Sequence, residues 1–173
     1  MTDRYPEEPA GPFPHPPATI TDTDGREIRI RIAEDGDHEP LVEMYLEFDP
    51  ADRAQGIPPI REDPIRTWLD NLLAPDCLNL VATDDGTPIG HATLVPDVDD
   101  SFELAIFVLH TYQGAGIGTE LLERLLGYAR DDGIEKVWLS VERWNDPAIA
   151  LYKKVGFELE DTESFELEIG IRL

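Results

Sequence analysis

An apolar run passes into a helical pattern through Val108-Leu109-His110-Thr111-Tyr112-Gln113-Gly114-Ala115-Gly116-Ile117-Gly118-Thr119. Glycine stands at the alternate positions Gly114, Gly116 and Gly118, which leaves backbone N–H groups uncovered by side chains and permits positive φ angles. The N–H groups in the first turn of the helix that follows have no intrahelical acceptor, and they lie at the positive end of the helix dipole. A strand, a bare turn and a helix N-terminus in this order predict a cradle for an anion, most naturally a phosphate or a pyrophosphate.

The spacing of the glycines narrows the choice of phosphate ligand. A Walker loop requires Gly-Lys-Ser/Thr at its end, whereas Gly118-Thr119 has no lysine before the hydroxyl. The dinucleotide fingerprint requires G-x-G-x-x-G, whereas residues 114–118 give G-x-G-x-G. Glycine-rich turns also precede helices that bind nothing, so this segment alone leaves a purely structural turn open.

A second motif lies downstream at Asn145-Asp146-Pro147-Ala148-Ile149-Ala150-Leu151-Tyr152-Lys153-Lys154-Val155-Gly156-Phe157. It resembles the N-x-x-A-x-x-L-Y-x-x-x-G-F pattern of the GNAT superfamily of N-acetyltransferases. The glycine-rich segment is similar to the acyl-CoA-binding pattern of that superfamily, Q/R-x-x-G-x-G/A, at Gln113, Gly116 and Gly118. The resemblance extends from about Ile28 to the C-terminus, and two motifs in this order are far more specific than either one.

The hydrophobic pattern predicts the element order β-α-α-β-β-β-α-β-α-β-β. This is the order of the GNAT fold, so the resemblance implies an α/β architecture with a mixed, strongly twisted, seven-stranded sheet flanked by about four helices. At 173 residues the chain has the size of one domain, which we place at residues 26–173. Residues 1–25 hold six prolines among acidic and small residues, and we expect a disordered tail from which only Phe13 could dock on the domain.

The resemblance implies acetyl-CoA as the acyl donor. In the superfamily the strands before the glycine-rich turn and after the long helix splay apart, and the pantetheine arm pairs with exposed strand backbone. Here that backbone belongs to Ile106, Phe107 and Val108, which could equally be plain buried strand. Asn145 is expected at the amide portion of the cofactor, with helix-entry chemistry as the alternative. The pyrophosphate is expected at Gln113, Gly114, Ala115, Gly116, Ile117, Gly118 and Thr119.

Acyl transfer to an amine requires an acid for the departing thiolate and a base for the amine proton. Tyr152 resembles the tyrosine that the superfamily places near the sulfur, and the alternative is a core tyrosine on a helix face. Some members carry a glutamate at the position of Ser140, so the base is here assigned to Glu103 or Glu142, directly or through water. With so many acidic residues, a solvated role for either glutamate stays open.

The phosphate site also departs from many superfamily members, because Ala115 stands where arginine or lysine is common. Anion binding would then depend on backbone N–H groups and the helix dipole, with Arg143 or Lys153 near the nucleotide. His91 and His110 lack the spacing of metal ligands, and we expect no metal. The single cysteine, Cys77, cannot form an internal disulfide, and a reduced thiol favours a cytoplasmic protein.

The charge balance is strongly acidic, with 37 Asp and Glu against 14 Lys and Arg and a net charge of −23. Such a field repels nucleic acids and anionic membranes, and no apolar run is long enough to span a bilayer. One interpretation is attraction of polycationic substrates. We favour the other, salt adaptation, because the acidic residues are scattered along the chain.

These observations predict an acetyl-CoA-dependent N-acetyltransferase that acts by direct attack in a ternary complex. The expected acceptor is a small-molecule amine, a protein N-terminus or a protein lysine. We expect no binding to nucleic acid or to membranes, and a homodimer remains an open alternative. The alternative is an acyl-CoA-binding regulatory or sensor domain without turnover, which Ser140 and Ala115 motivate.

Overall fold

The computed structural model describes residues 5–49, 51, 57–159 and 166–173. Four α-helices and eight strands are the main regular elements of this part of the chain. The helices are α1 (His38–Leu46), α2 (Glu62–Leu72), α3 (Ile117–Asp131) and α4 (Asp146–Val155). The strands are β1 (Ala18–Thr21), β2 (Glu27–Ile32), β3 (Leu78–Asp84), β4 (Thr87–Pro96), β5 (Ser101–Val108), β6 (Lys136–Glu142), β7 (Glu158–Leu159) and β8 (Glu166–Arg172).

All eight strands belong to one sheet in the order β1-β2-β3-β4-β5-β6-β8-β7. Every neighbouring pair is antiparallel except β5 and β6, which are parallel. The connection between these two strands contains α3, as parallel neighbours require a crossover. The mixed α/β sheet with four helices confirms the predicted fold, and β1 adds one strand to the predicted seven.

The helices cover both faces of the sheet. A Cβ added to Gly90 of β4 would lie 3.6 Å from the side chain of Leu121, which places α3 on one face. The next residue, His91, points to the other face, where its Nδ1 lies 2.6 Å from the hydroxyl of Tyr45 in α1. A Cβ added to Gly118 of α3 would lie 3.8 Å from the side chain of Leu151 in α4, so α4 shares the face of α3. None of the helices in the described ranges is long and apolar enough to cross a bilayer.

The N-terminal segment differs from the disordered tail expected for residues 1–25. Ala18–Thr21 pairs with β2 as an edge strand, and Phe13 is only 9% exposed within the core. The N–H of Ala10 donates to the carbonyl of Arg172 at 2.7 Å. Prolines lack a donor but are tolerated beside a sheet edge, so this composition does not prevent docking. Residues 1–4 lie outside the described part of the chain.

Candidate functional site

A cleft opens in the sheet where β5 and β6 separate. Their parallel pairing covers three residue pairs, from Ser101 with Lys136 to Glu103 with Trp138. Beyond Glu103, β5 stays paired with β4 through Val108, while β6 stays paired with β8 through Glu142. The strands therefore leave a cavity of about 270 Å³ between them. It brings together six of the residues predicted from sequence: Glu103, Ile106, Phe107, Glu142, Asn145 and Tyr152.

The cleft connects the two faces of the sheet. Phe107 lies on the face of α1, where its ring centroid is 5.6 Å from that of Tyr45. Glu103 is four residues away on the same strand and shares that face, because side chains alternate with period two. Its register partner Trp138 places Ser140 and Glu142 on this face as well. Tyr152, on α4, approaches the cavity from the opposite face.

The backbone groups that β5 presents to the cleft follow from its pairing with β4. The N–H of Leu109 donates to the carbonyl of Ile89 at 2.9 Å, so the groups of Leu109 point toward β4. In an antiparallel ladder, alternate residues point the same way, and the register with β4 is continuous. The backbone N–H and C=O of Phe107 therefore point toward β4. Those of Ile106 and Val108 point into the cleft. This corrects the prediction for Phe107, which contributes its side chain to the cavity wall rather than backbone groups.

The glycine-rich turn presents an open surface at the end of β5. Gly114 and Gly116 have φ angles of 72° and 88°, and no heavy atom lies within 4 Å of a Cβ added at either residue. The N–H of Glu120 donates to the carbonyl of Gly116 at 3.3 Å, at the start of the helix ladder. The N–H groups of Ile117, Gly118 and Thr119 precede that bond and are the donors that the first turn of a helix leaves for an anion.

The side chains around this turn hold its conformation. Ala115 and Ile117 are buried at 2% and 1% exposure, and a Cβ added to Gly118 would lie 3.8 Å from the side chain of Leu151. The side-chain amide of Gln113 donates to the carbonyl of Val108 at 2.9 Å. Gln113 therefore ties the turn back to β5 and occupies one of the carbonyls that point into the cleft.

Helix α4 places Asn145 and Tyr152 on the cavity wall. The Oδ1 of Asn145 accepts the N–H of Ala148 at 3.4 Å, so this residue caps the helix. Within the described ranges the hydroxyl of Tyr152 has no hydrogen-bond partner, and its ring lies 5.6 Å from that of Phe157. Burial raises the pKa of Tyr152 to about 12, which keeps the phenol protonated at neutral pH.

Carboxylates gather on the α1 side of the cleft. Partial burial, together with the charges of Asp97 and Glu168, raises the pKa of Glu103 above its usual value. Ser140, which carries no carboxylate, lies opposite Glu168 in the register of β6 and β8. Glu168 thus brings an acidic group beside the serine from the neighbouring strand. Glu168 is not identifiable from the sequence, because only the long-range register of β6 with β8 reveals its position.

Phe107 of the cavity wall packs in an aromatic cluster. Trp68 of α2 lies 5.3 Å from Phe107 between ring centroids, and Phe48 lies 6.4 Å from it. Behind them His91 is fully buried between the hydroxyl of Tyr45 and the Oδ1 of Asn79, and burial lowers its pKa to about 4. A histidine that is neutral and bonded through both ring nitrogens has a structural role.

The model of the acetyltransferase (GNAT) family matches residues 39–157 of this chain. The chain belongs to the GNAT family. An uncharacterized N-acetyltransferase of Mycobacterium bovis is 36% identical over 89 residues, which are 51% of this chain and 57% of the relative. A ribosomal protein bS18-alanine N-acetyltransferase of Haemophilus influenzae is 36% identical over 84 residues, 49% of this chain and 57% of the relative. The chain thus spans less than three fifths of these two relatives.

A solved N-acetyltransferase structure extends the similarity over most of the chain. The PaiA N-acetyltransferase of Thermoplasma acidophilum, in complex with coenzyme A, has a TM-score of 0.69 and 28% identity. The match covers 84% of this chain and 99% of that one. The glycine-rich turn, the cleft and α4 all lie within the part of the chain that the family model matches.

Proposed function

We propose that this GNAT protein is an acetyl-CoA-dependent N-acetyltransferase that moves the acetyl group to a primary amine by direct attack. The observation that carries the proposal is the separation of β5 from β6, which leaves a cavity lined by Glu103, Phe107 and Glu142 along the strand that leads into the open glycine-rich turn. A relative named as an alanine N-acetyltransferase and a similar structure solved with coenzyme A support it.

The cofactor site follows from the backbone that the cleft exposes. The N–H groups of residues 117–119, at the start of α3, would hold the pyrophosphate, as the positive end of a helix favours an anion. The pantetheine arm would extend along Ile106, whose backbone groups point into the cleft. Asn145 uses its Oδ1 as a cap, which leaves its amide N–H groups for the cofactor.

The acceptor would enter from the face of α1. An alkyl amine with a pKa of about 10.4 is neutral in about one molecule in 2,500 at pH 7, whereas a terminal α-amine is neutral in about one in ten. Glu103, whose pKa is raised, would take the proton from the ammonium directly or through water. The neutral nitrogen would then form its bond to the carbonyl carbon of the thioester.

Breakdown of the tetrahedral intermediate would involve Tyr152. As the carbon–sulfur bond breaks, the phenol donates its proton to the sulfur, and the proton that leaves the new amide nitrogen restores the phenol. The products are the N-acetyl amine and the free thiol. The absence of an internal partner for the hydroxyl, among the described residues, fits a group whose partner arrives with the cofactor.

The class of acceptor is inferred from the side chains that line the cavity between β5 and β6. Glu103 and Glu142 offer negative charge to a cationic amine, and Phe107, which packs on Trp68, offers an apolar ring beside it. A small-molecule amine or a peptide N-terminus with an apolar first side chain satisfies both. The choice between these two acceptors, a cytoplasmic location and a homodimer are proposals that each require a separate experiment.

A sensor domain without turnover is the second candidate, and Ser140 in place of a family glutamate favours it. The deciding experiment measures binding of coenzyme A by calorimetry and release of thiol from acetyl-CoA with a panel of small amines and peptides. We expect binding and amine-dependent thiol release with at least one member of the panel. Binding without release on any acceptor would support the sensor, and absence of binding would refute both functions.

A further inference from the structure

The turn between β1 and β2 lies against the glycine-rich turn and holds it at three points. A guanidinium N–H of Arg26 donates to the carbonyl of Thr111 at 3.1 Å. The guanidinium carbon lies 4.2 Å from the centroid of the Tyr112 ring. The N–H of Thr23 donates to the carbonyl of Ala115 at 3.0 Å. Residues 22–26 therefore contact the loop on both sides of Gly114.

Asp22 fixes the position of Arg26. The carboxylate of Asp22 is fully buried and accepts the Nε of Arg26 at 2.7 Å, the backbone N–H of Arg26 at 2.8 Å and that of Asp24 at 3.0 Å. A carboxylate with three donors holds the turn and the guanidinium as one unit. On the other side the hydroxyl of Tyr112 donates to Asp84 at 2.6 Å, which fixes the ring below Arg26.

This arrangement matters because the glycine-rich turn has no cation of its own. Residues 113–119 contain no lysine or arginine, so within the turn itself an anion depends on backbone N–H groups, which bind best when their directions are already set. Glycines at 114 and 116 leave the backbone with many accessible conformations, and fixing them costs binding free energy unless they are fixed beforehand. Contacts from outside the loop supply that order.

We propose that the turn Asp22–Arg26 is a positioning element of the coenzyme A site. Asp22 orients Arg26, and Arg26 with Thr23 holds Thr111, Tyr112 and Ala115 so that the N–H groups around Gly116 stay directed at the pyrophosphate. This inference deepens the proposed function and rests on it. Arg26 acts through the loop and does not itself contact the cofactor, so its effect belongs to cofactor affinity and not to the chemical step.

The experiment compares Arg26→Gln with Arg29→Gln. Arg29 lies on β2 three residues away and is exposed, so its substitution removes the same charge without a contact to the loop. We expect Arg26→Gln to raise the KM for acetyl-CoA and the Kd for coenzyme A about tenfold, with kcat at saturation changed less than about twofold. Arg29→Gln should leave both near the parent values, and acetyl-pantetheine, which lacks the pyrophosphate, should show no difference between variants.

Salt separates positioning from direct attraction. If Arg26 bound the phosphates as a charge, the loss would shrink at about 1 M salt, where the Debye length is about 3 Å. A positioning role keeps the full loss, and amide hydrogen exchange of residues 112–116 should then be faster in the apo variant while exchange in α3 is unchanged. A loss that disappears in salt, or equal losses in Arg26→Gln and Arg29→Gln, would overturn the inference.

A second variant covers the outcome in which Arg26→Gln does not fold. Tyr112→Phe keeps the ring under the guanidinium and removes only the hydrogen bond to Asp84, so we expect a smaller rise in Kd with an unchanged melting temperature. Unchanged affinity in a folded Arg26→Gln or Tyr112→Phe protein would refute the positioning role. Failure of the parent chain to bind coenzyme A would refute the proposed function instead, so the two failures are distinguishable.

Discussion

Tyr152 is the residue whose role can be tested with the loss of one atom. Its ring packs against Phe157, and Tyr152→Phe keeps this packing while it removes the hydroxyl. We expect kcat to fall by roughly 10²–10⁴, the range for loss of a general acid, with little change in the affinity for coenzyme A. Steady-state thiol release and calorimetry provide the two values.

Tyr128→Phe is the matched control, since Tyr128 lies on α3 and outside the cavity between β5 and β6. It should leave kcat unchanged. A parental kcat in Tyr152→Phe would show that Tyr152 is a packing residue and that the thiolate takes its proton from water.

Glu103 is the residue whose role can be tested through pH. Its raised pKa makes it a better proton acceptor than an ordinary glutamate, provided that it is deprotonated when the acceptor arrives. Glu103→Gln should lower kcat/KM most near neutral pH, where the amine is protonated. The loss should shrink as pH approaches the amine pKa of about 10.4, because the amine then loses its proton unaided.

Glu135→Gln removes the same charge at an exposed position outside the cavity and should have no effect on this profile. A loss in Glu103→Gln that is independent of pH would indicate positioning of the acceptor. No loss would direct attention to Glu142, to Glu168 or to water.

Individual residues of the candidate site were predictable where a local motif determines their place. Gln113, Asn145 and Tyr152 belong to short patterns, and the structure places the last two on the cavity wall. Their contacts were less predictable, since Gln113 bonds to Val108 rather than extending from the loop. Arg26 and Glu168 could not be identified from sequence, because their partners lie in distant segments and are fixed only by strand register.

Among the elements, the glycine-rich turn carries a direct test. Gly116→Glu adds a side chain and a negative charge where the surface is open. We expect loss of measurable coenzyme A binding by calorimetry, with the fold retained by circular dichroism, because the carboxylate enters the space of the pyrophosphate.

Gly133→Glu is the control for this variant. Gly133 has a φ of 85°, open space where a Cβ would be added and a place at the far end of α3, about 22 Å from the turn. Both variants incur similar backbone strain and add the same charge. Unchanged affinity in Gly116→Glu, or equal loss in both variants, would contradict the assignment of the phosphate site.

The N-terminal segment and α3 form a second testable contact. The carbonyl of Pro14 lies against Gly127, where a Cβ would meet it, and Arg130 donates to the carbonyl of Ala10 at 3.2 Å. Alanine usually stabilises a helix interior by about 1 kcal/mol relative to glycine. Here we expect Gly127→Ala to lower the melting temperature instead, because the segment must move away from the helix.

Gly36→Ala provides the reference, since an added Cβ at Gly36 meets nothing within 4 Å. It should be neutral or slightly stabilising in the same thermal scan. A higher melting temperature in Gly127→Ala would mean that residues 13 and 14 can move away from α3 without loss of stability.

Element types were predictable from periodicity, and element partners were not. Helical periodicity predicts that the helix after the glycine-rich turn ends near Asp131, where α3 does end. Alternation predicts hairpin strands at Leu78–Thr83 and Pro88–Val95, each within one residue of the bounds of β3 and β4. The strand β1 was missed because its four residues follow a proline-rich segment and gain their order from pairing with β2. The site depends on where the pairing of β5 with β6 stops, which no local pattern encodes.

At the scale of the whole molecule, net charge opposes the binding of coenzyme A. The chain carries −23, and the cofactor is itself a polyanion. At about 0.1 M salt the Debye length is about 10 Å, so charges spread over the surface still act at the cleft, whereas at about 1 M it is about 3 Å. The N–H groups of the cradle act by direct contact and are screened much less. Salt should therefore remove the repulsion and spare the attraction.

We accordingly expect the KM for acetyl-CoA to fall as monovalent salt rises from low concentration, the reverse of the trend for a site that binds phosphate through surface lysines. Acetyl-pantetheine, which lacks the phosphates, is the control donor and should show a flat KM over the same range. Sodium and potassium chloride at equal ionic strength should act alike, because screening does not depend on the identity of the ion. A KM for acetyl-CoA that rises with salt would show that local cations such as Arg143 or Lys153 dominate the site, and that the acidic surface has no part in cofactor binding.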